Sequence, residues 1–242
     1  MTSLTITVAV SAQVHNEIHD KSKETAKKEA HQQEAAAKTE EESTEKNAKK
    51  SDASATENKG SISTLVISTS LREESKSRKL AIRIKEKVDS MKVPCEYLDL
   101  KDYPKLPLCD GKDCFKNEEV LKLSEKIKKA AVIFFAFPVY NYDVSAAAKN
   151  LIEVTGYSWK DKVVGLICAA GSPKSFMSPL NLANSLMLNS NCTIVPKYVF
   201  AEPSDFSEKG ASISQGLDTR LETLAKTGTR LASALELVKA ME

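Results

Sequence analysis

The chain has 242 residues, 28% of them charged, and a formal net charge of +2. This balance excludes a strong overall field of either sign, so composition gives no reason to expect nucleic acid as a partner. The longest strongly apolar run, residues 130–137, is far too short to cross a membrane. We therefore expect small-molecule partners, without nucleic acid or a membrane span.

Residues 1–62 differ sharply in composition from the rest of the chain. They contain no Pro, Cys or aromatic residue, but 9 Lys, 11 Asp or Glu and all three His residues. Such a segment buries too little apolar surface to offset the entropy of ordering it. We predict a low-complexity charged extension over residues 1–62, disordered or transiently helical, followed by one domain over residues 63–242. Residues 4–10 alternate like a strand, and a secretory signal is the less favoured interpretation there.

Residues 63–242 contain no histidine. This excludes a Ser-His-Asp triad, a Cys-His pair and a histidine-based zinc site from that region. The five cysteines are an odd number without a Cys-x-x-Cys motif, which indicates free thiols and a cytoplasmic location. Because no second pair or histidine accompanies Cys109 and Cys114, we interpret them as parts of a solvated loop rather than as a redox or metal pair.

Five short β-rich apolar runs alternate with helical patterns after residue 62. The predicted strands are residues 64–69, 93–98, 131–137, 163–169 and 193–200. Three of them are almost continuously apolar, as is typical of strands buried on both faces. This alternation predicts parallel strands joined by right-handed crossovers. We therefore predict an α/β fold with a doubly wound five-stranded parallel sheet of order 2-1-3-4-5 and helices on both faces.

Five amphipathic patterns predict the helices of this fold. The third follows Tyr142 and runs to about Thr155, with Gly156 as its expected stop. A long irregular loop, residues 99–117, follows the second strand. The apolar stripes of the other four helices are Leu80, Ile84, Val88 and Met91; Val120, Leu123 and Ile127; Phe176, Leu180, Ala183 and Met187; and Leu217, Leu221, Leu224, Leu231, Leu235 and Val238.

The loop after the first strand carries the features of a phosphate site. Open parallel sheets bind ligands beyond the carboxyl ends of their strands, where the winding reverses, here between strands one and three. Residues 68–78 at that point are rich in hydroxyls, contain two arginines and enter a helix. Hydroxyl and guanidinium donors beside a helix N-terminus favour an anion. The loop lacks the glycine patterns of Walker and dinucleotide sites, and a polar loop with helix caps remains the alternative interpretation.

The loops after strands three and four suggest the rest of the ligand. Residues 137–143 place two tyrosines, an asparagine and a proline at the same edge, where aromatic rings can flank a planar group. Residues 169–175 include Gly171, whose small size lets backbone approach a flat ligand. Simple turns with helix caps are the alternative for both loops. Together the three loops predict a pocket for a planar head with a phosphate tail, and FMN fits that description.

Two motifs carry a resemblance to a known family over residues 63–240. The first is Ser70-Leu71-Arg72-x-x-Ser75-x-Ser77 followed by Leu80-Ala81, and the second is Pro138-Val139-Tyr140-Asn141-Tyr142 followed by Lys149-Asn150. In this order, the chain resembles the flavodoxin-like NAD(P)H-dependent FMN reductases, which include quinone and chromate reductases. The family commonly has a glutamate at the position of Val139 and a Gly-Gly step at the position of Gly171-Ser172.

The resemblance implies FMN as cofactor, NAD(P)H as co-substrate and a homodimer or homotetramer. It also implies an enzyme that passes a hydride from reduced nicotinamide to flavin, and then to a quinone, free flavin or similar acceptor, with no catalytic side chain. A flavodoxin-type electron carrier and a non-enzymatic scaffold are the alternatives. The implied FMN-binding residues are Ser70, Arg72, Ser75 and Ser77 for the phosphate, Pro138, Val139, Tyr140 and Asn141 along the cofactor, and Ala170, Gly171 and Ser172 beside the ring.

Overall fold

The computed structural model describes residues 62–207 and 212–241. The predicted extension lies outside these residues, except for Ile62, which packs against the core. The strand expected at residues 4–10 and the interpretations of the three histidines also lie outside them. None of the helices in the described ranges is long and apolar enough to cross a membrane.

The central sheet confirms the predicted doubly wound α/β fold. Its main strands run in the order β2-β1-β3-β5-β6, and all neighbours along this path are parallel. The middle strands β1, β3 and β5 have both faces buried, which explains their continuous apolar sequence. The strands are β1 (Thr64–Ser68), β2 (Cys95–Asp99), β3 (Val132–Tyr140), β4 (Asp143–Val144), β5 (Val163–Ala169), β6 (Thr193–Ile194) and β7 (Val199–Ala201).

The strand count differs from the prediction in two places. The predicted strand over residues 193–200 is split into β6 and β7, which both pair with β5. Pro196 lacks an N–H for the ladder and Lys197 has a positive φ of 60°. The backbone therefore leaves the sheet between β6 and β7. In addition, β4 pairs antiparallel with the end of β3, which turns the predicted loop there into a hairpin.

Five α-helices in the described residues cover the two faces of the sheet. One apolar cluster joins α1 and α5 to residues such as Val66 and Phe134, and the other joins α2, α3 and α4 to Ile67 and Phe135. Neighbouring strand residues therefore alternate between the two layers, as the period of two requires. The helices are α1 (Lys76–Ser90), α2 (Glu118–Lys129), α3 (Ala146–Val154), α4 (Pro179–Ser190) and α5 (Gln215–Lys239).

The stripe predicted for the fourth helix is wrong. Apart from Ala183, its members Phe176, Leu180 and Met187 are exposed, whereas Leu182 and Leu186 point into the core. The helix carries leucine or methionine on both its buried and its exposed side, and Phe176 precedes its first residue. The apolar pattern alone therefore assigned the wrong side of the helix to the core. The other stripes are buried or half-buried at most positions, with Val238 near the end of α5 exposed.

Two further sequence interpretations need correction. Helix α3 ends where predicted, with Thr155 as its C-cap, but Gly156 is not left-handed and instead begins a 3₁₀ turn over Gly156–Trp159 that buries Trp159. Cys109 and Cys114 do not lie in a simply solvated loop. Cys114 is buried, and its Sγ lies 3.8 Å from Cys109 Sγ. Spacing alone did not show that the loop folds back on itself.

Candidate functional site

Strand register brings the three sequence-selected loops to one edge of the sheet. Ser68 at the end of β1 pairs with Ala136 of β3, and Pro138 further along β3 pairs with Ala169 of β5. The loops that follow these strands are therefore neighbours at the carboxyl edge. This is the place at which open parallel sheets bind their ligands.

The three serines of the first loop are buried at the start of α1. Ser75 is the N-cap of this helix, and its Oγ accepts the N–H of Arg78 at 3.2 Å. Ser75 Oγ and Ser77 Oγ lie 3.0 Å apart, and Ser70 Oγ accepts the N–H of Arg72 at 3.4 Å. Ser70 Oγ and Ser75 Oγ accept these backbone N–H groups through lone pairs, which leaves their hydroxyl protons free. One proton of the Ser75–Ser77 pair is used between the two hydroxyls, so Ser70 and one of that pair can still donate to a ligand.

Backbone donors lie beside these hydroxyls. The N–H groups of Lys76 and Ser77, in the first turn of α1, make no hydrogen bond within the described part of the chain. A helix N-terminus carries partial positive charge and directs such N–H groups outward. The first loop thus combines hydroxyl and backbone donors in a form suited to a phosphate group.

The two arginines of this loop have different surroundings. Arg72 is exposed, and its guanidinium contacts no acceptor among the residues that the structure describes. Arg78 is mostly buried and donates to both carboxylate oxygens of Asp99 and to the backbone carbonyls of Ser70, Arg72 and Glu73. Arg72 is therefore available to a ligand, whereas Arg78 holds the loop in shape.

The role of Arg78 was not recognised from the sequence. Its partner Asp99 ends β2, and the register of β1 and β2 places Asp99 beside Ser68. Hydrogen bonding to Asp99 raises the pKa of the Arg78 guanidinium, and burial raises the pKa of nearby Tyr97 to about 12. Both groups keep one charge state through the physiological range. The acidic end of the second strand was the available sequence signal, because strand two neighbours strand one in this topology.

The loop after the third strand is a tight hairpin with strained backbone. Asn141 and Tyr142 both have positive φ, 51° and 64°, which is the pattern of a type I′ turn. A bulky residue such as Tyr142 rarely adopts this conformation, and such strain is concentrated at functional sites. The turn leaves Tyr140, Asn141 and Tyr142 exposed at the edge of the sheet.

The other two implied residues of the hairpin strand are less accessible. Pro138 is half-buried, and Val139 packs into the hydrophobic layer formed with α2, α3 and α4. Only backbone groups of Val139 can therefore face a ligand at this edge. This burial is compatible with valine at a position where the resembling family commonly has glutamate.

The loop after β5 offers open backbone beside the hairpin. Ala170 is buried and donates its N–H to Ala201 O at 2.9 Å. Gly171 is exposed, and a Cβ added there would meet no atom within 4 Å. Ser172 caps the following 3₁₀ turn by accepting the N–H of Lys174. The backbone at Gly171 is therefore open on the side where a side chain would lie.

A hollow of about 530 Å³ lies between the hairpin and helices α3 and α4. Its walls include Tyr140, Asn141, Lys149, Asn181 and Ser185. Tyr140 and Asn141 of the hairpin thus also border a hollow on α4.

Comparisons with known proteins give a family match for most of the described residues. A sequence model of the family described as NADPH-dependent FMN reductase matches residues 62–206. A protein of Geobacillus thermodenitrificans (strain NG80-2) named NAD(P)H-dependent FAD/FMN reductase is 25% identical over 135 residues, which cover 55% of this chain and 72% of that protein.

Solved structures share the fold at low sequence identity. FerB from Paracoccus denitrificans, a flavoenzyme NAD(P)H:(acceptor) oxidoreductase, has a TM-score of 0.58 at 20% identity and covers 72% of this chain and 98% of its own. The apo form of the NADH:FMN oxidoreductase EMOB has a TM-score of 0.57 at 15% identity and covers 70% of this chain and 89% of its own.

Proposed function

The chain belongs to the NADPH-dependent FMN reductase family, and from this premise we propose that it binds FMN at the carboxyl edge of its sheet. We propose further that the chain is an NAD(P)H oxidoreductase with a quinone, a free flavin or a similar compound as acceptor, for which bound FMN would supply the hydride-transfer chemistry. The observation that carries this proposal is the group of buried hydroxyls, Ser70, Ser75 and Ser77, around the open N-terminus of α1.

The residues present fit both ends of FMN. At the phosphate end, donors to an anion come from the hydroxyl protons, the N–H groups of Lys76 and Ser77, and the exposed guanidinium of Arg72. At the ring end, the open backbone at Gly171 and the exposed rings of the hairpin would border a planar group. We call the three loops at the carboxyl edge the cradle. No carboxylate of its first loop has to be neutralised by the protein there, because Glu73 pairs with Lys101 and Glu74 with Lys79.

Each part of the cradle has a distinct task. Ser70, Ser75 and Ser77 bind the phosphate through their buried hydroxyls, of which that of Ser75 also caps α1, and Arg72 adds a charge-assisted contact. Pro138, Val139, Tyr140 and Asn141 lie along the cofactor, with Val139 acting through its backbone. Ala170, Gly171 and Ser172 border the ring, where backbone N–H groups favour negative charge.

The lack of histidine in residues 63–242 agrees with this function. Bound FMN supplies the hydride-transfer chemistry, and the protein binds, orients and tunes it. The described residues therefore position groups and exclude water rather than act as acid or base. Arg78 contributes by holding three carbonyl groups of the phosphate loop in place.

Steady-state turnover separates this proposal from its alternatives. The FMN-loaded chain is mixed with NADPH or NADH and a quinone, and oxidation of the nicotinamide is followed. We expect continuous turnover. Flavin binding without turnover would favour an electron carrier, and failure to take up FMN would favour a scaffold.

A matched pair of serine variants tests the phosphate cradle. Ser77→Ala removes a hydroxyl at the start of α1 and should weaken FMN binding by about tenfold, the scale of one hydrogen bond to a charged group. Ser90 lies at the other end of the same helix, where its hydroxyl donates to Lys87 O. Ser90→Ala should leave the affinity unchanged, and equal affinities of both variants would remove Ser77 from the site.

We also propose a homodimer or homotetramer built on the outer face of α4. Three exposed apolar residues lie on this helix: Leu180, Met187 seven positions later, and Leu188, which is 88% exposed. Phe176 and Met177, just before the helix, are exposed as well. An exposed apolar patch is typical of interfaces, and we infer that these side chains form one. A second copy of the chain is the occupant that the family resemblance implies.

Light scattering of the eluting protein tests this interface. Met187→Glu should shift the mass towards the monomer, whereas Leu237→Glu, at an exposed leucine of α5, should not. A monomeric parent protein, or an unchanged mass for Met187→Glu, would contradict the proposed interface.

We propose a cytoplasmic location, supported by the five free cysteines. Burial raises the pKa of Cys168 to about 12 and that of Cys192 to about 11, so these thiols stay protonated. Free thiols persist in reducing compartments. Detection of the native protein in an extracellular fraction would contradict this location.

A further inference from the structure

Two cysteine side chains meet in the loop between β2 and α2. Cys109 Sγ and Cys114 Sγ lie 3.8 Å apart, and both are free thiols. A disulfide has an S–S distance of about 2.05 Å, so the sulfurs need to approach by less than about 2 Å. Four residues separate the two cysteines in the chain. Because the loop is short, bringing the two sulfurs together within one chain costs little loop-closure entropy.

Backbone hydrogen bonds hold both cysteines in position. Asp110 Oδ1 accepts the N–H groups of Lys112 at 2.9 Å and of Cys114 at 3.0 Å. These contacts turn the chain back so that Cys114 faces Cys109. Asn150 of α3 fixes the other end, because its Oδ1 accepts the N–H of Cys109 at 2.9 Å.

The two thiols differ in access to solvent. Cys114 is only 3% exposed and packs in a small apolar cluster with Val120 and Val154, whereas Cys109 is half-exposed at the edge of this cluster. Burial and contact with Asp110 raise the pKa of the Cys114 thiol. A reagent from solution therefore reaches Cys109 first. Cys114 is buried next to it and remains a protonated thiol.

A metal site does not explain the pair. Within residues 62–207 and 212–241, no group of three or more His, Cys, Asp or Glu side chains is placed to hold a metal ion. Asp110 is occupied by the two backbone N–H groups described above. The remaining chemistry of two adjacent thiols is reversible two-electron oxidation.

We propose that Cys109 and Cys114 form a reversible redox pair that a hydroperoxide oxidises to an intramolecular disulfide. Cys109 Sγ attacks the peroxide, the O–O bond breaks, and sulfenic acid forms at Cys109 as an alcohol or water leaves. Cys114 Sγ then attacks this sulfur and displaces hydroxide, which leaves as water with the Cys114 proton. Two thiols and one hydroperoxide thus give one disulfide, one alcohol or water, and one water.

Peptide mapping after peroxide treatment tests the pair on the full-length chain. The reduced protein, without NAD(P)H, is treated with a small excess of hydrogen peroxide. Free thiols should fall from five to three, and the intact mass should fall by about 2 Da, the mass of two hydrogens. Trypsin cuts after Lys112, between the two cysteines, so the disulfide should join the peptides 106–112 and 113–116. A dithiol should restore both thiols.

Three cysteine variants distinguish the proposed roles. Cys114→Ser should abolish the linked peptides and accumulate sulfenic acid at Cys109, detected with a dimedone-type probe. Cys109→Ser should leave Cys114 reduced at the same peroxide dose. Cys95→Ser is the control, because Cys95 is half-exposed in β2 without a second cysteine beside it, and it should still lose two thiols.

Three results would overturn the proposal. These are the absence of linked peptides in the parent protein, oxidation of Cys95 at the same rate as Cys109, and a disulfide found only between two chains. The measurement needs neither bound FMN nor enzyme turnover. Its failure is therefore distinguishable from a failure of the proposed flavin function.

Discussion

The centre of the sheet and its carboxyl edge are built from the same three strands but differ in almost every physical respect. At the centre, Phe134 fits over two glycines, and a Cβ added at Gly165 would lie 2.7 Å from its ring. At the edge, Tyr140 and Asn141 are exposed and the backbone is strained. Burial at the centre supplies stability, whereas the edge keeps donors and surface free for a ligand. Substitutions in the two regions should therefore separate stability from FMN affinity.

The largest effect is expected at the centre. Phe134→Ala should lower the free energy of unfolding by about 3–5 kcal/mol, because a fully buried ring leaves a cavity against Gly165 and Gly228. Denaturant unfolding of the flavin-free protein measures the loss. The folded fraction should still bind FMN. A loss below about 1 kcal/mol would contradict the described packing.

Arg72→Ala should show the opposite behaviour at the edge. We expect FMN binding to weaken by about 1.5–3 kcal/mol, the scale of a charge-assisted hydrogen bond. Stability without flavin should change by less than about 0.5 kcal/mol, because Arg72 is exposed. Fluorescence titration of FMN measures the first quantity, and Lys92→Ala, at an exposed turn after α1, is the control. Unchanged FMN affinity would remove Arg72 from the site.

A pH-dependent effect is expected where α1 meets α5. Arg83 and Lys87 of α1 donate hydrogen bonds to Asp218 of α5. These bonds, chiefly the one from Arg83, lower the pKa of Asp218 from its ordinary 3.8 to about 2. The unfolded chain therefore binds the proton more tightly. This stabilisation is fully present above pH 3.8 and is lost as the pH falls through 2.

Asp218→Asn isolates this contribution. At pH 7 it should cost about 1–2 kcal/mol of stability, and the difference from the parent should shrink steadily below about pH 4. Thermal unfolding at several pH values measures the trend. FMN affinity at pH 7 should be unchanged, since the bonds of Asp218 run to Arg83 and Lys87 rather than to the proposed FMN-binding residues. A difference that grows in acid would contradict the assigned ion pairs.

The smallest effect is expected from the extension. Deletion of residues 1–60 should leave reductase turnover unchanged and stability within about 0.5 kcal/mol. The composition of that segment offers too little apolar surface to join the core. Turnover and unfolding of the truncated chain, compared with the full chain, check this. Loss of either would show that the segment is part of the functional unit.

Local sequence patterns predicted the part of the fold that burial dictates. The continuous apolar runs located β1, β3 and β5 because both of their faces are covered by helices. The same reasoning failed for α4, where leucines lie on both sides of the helix and only the sheet decides which side is buried. It also merged β6 and β7, because the irregular backbone between them depends on Pro196 and Lys197.

The candidate site shows the same division. Its hydroxyl-rich and aromatic loops were visible because topology places such loops at one edge. The bond between Arg78 and Asp99 joins positions 21 residues apart, and the contact of Cys109 with Cys114 depends on the fold of their loop. Spacing does not reveal such contacts, so the residue that holds the phosphate loop and the proposed redox pair both required the structure.

The absorption spectrum of the purified, FMN-loaded chain during anaerobic addition of NADPH tests the central claim most directly. We predict that the protein retains a flavin band after removal of free FMN and that this band bleaches when NADPH is added. A chain that retains no flavin, or a retained band that neither NADPH nor NADH bleaches, would contradict the proposed reductase.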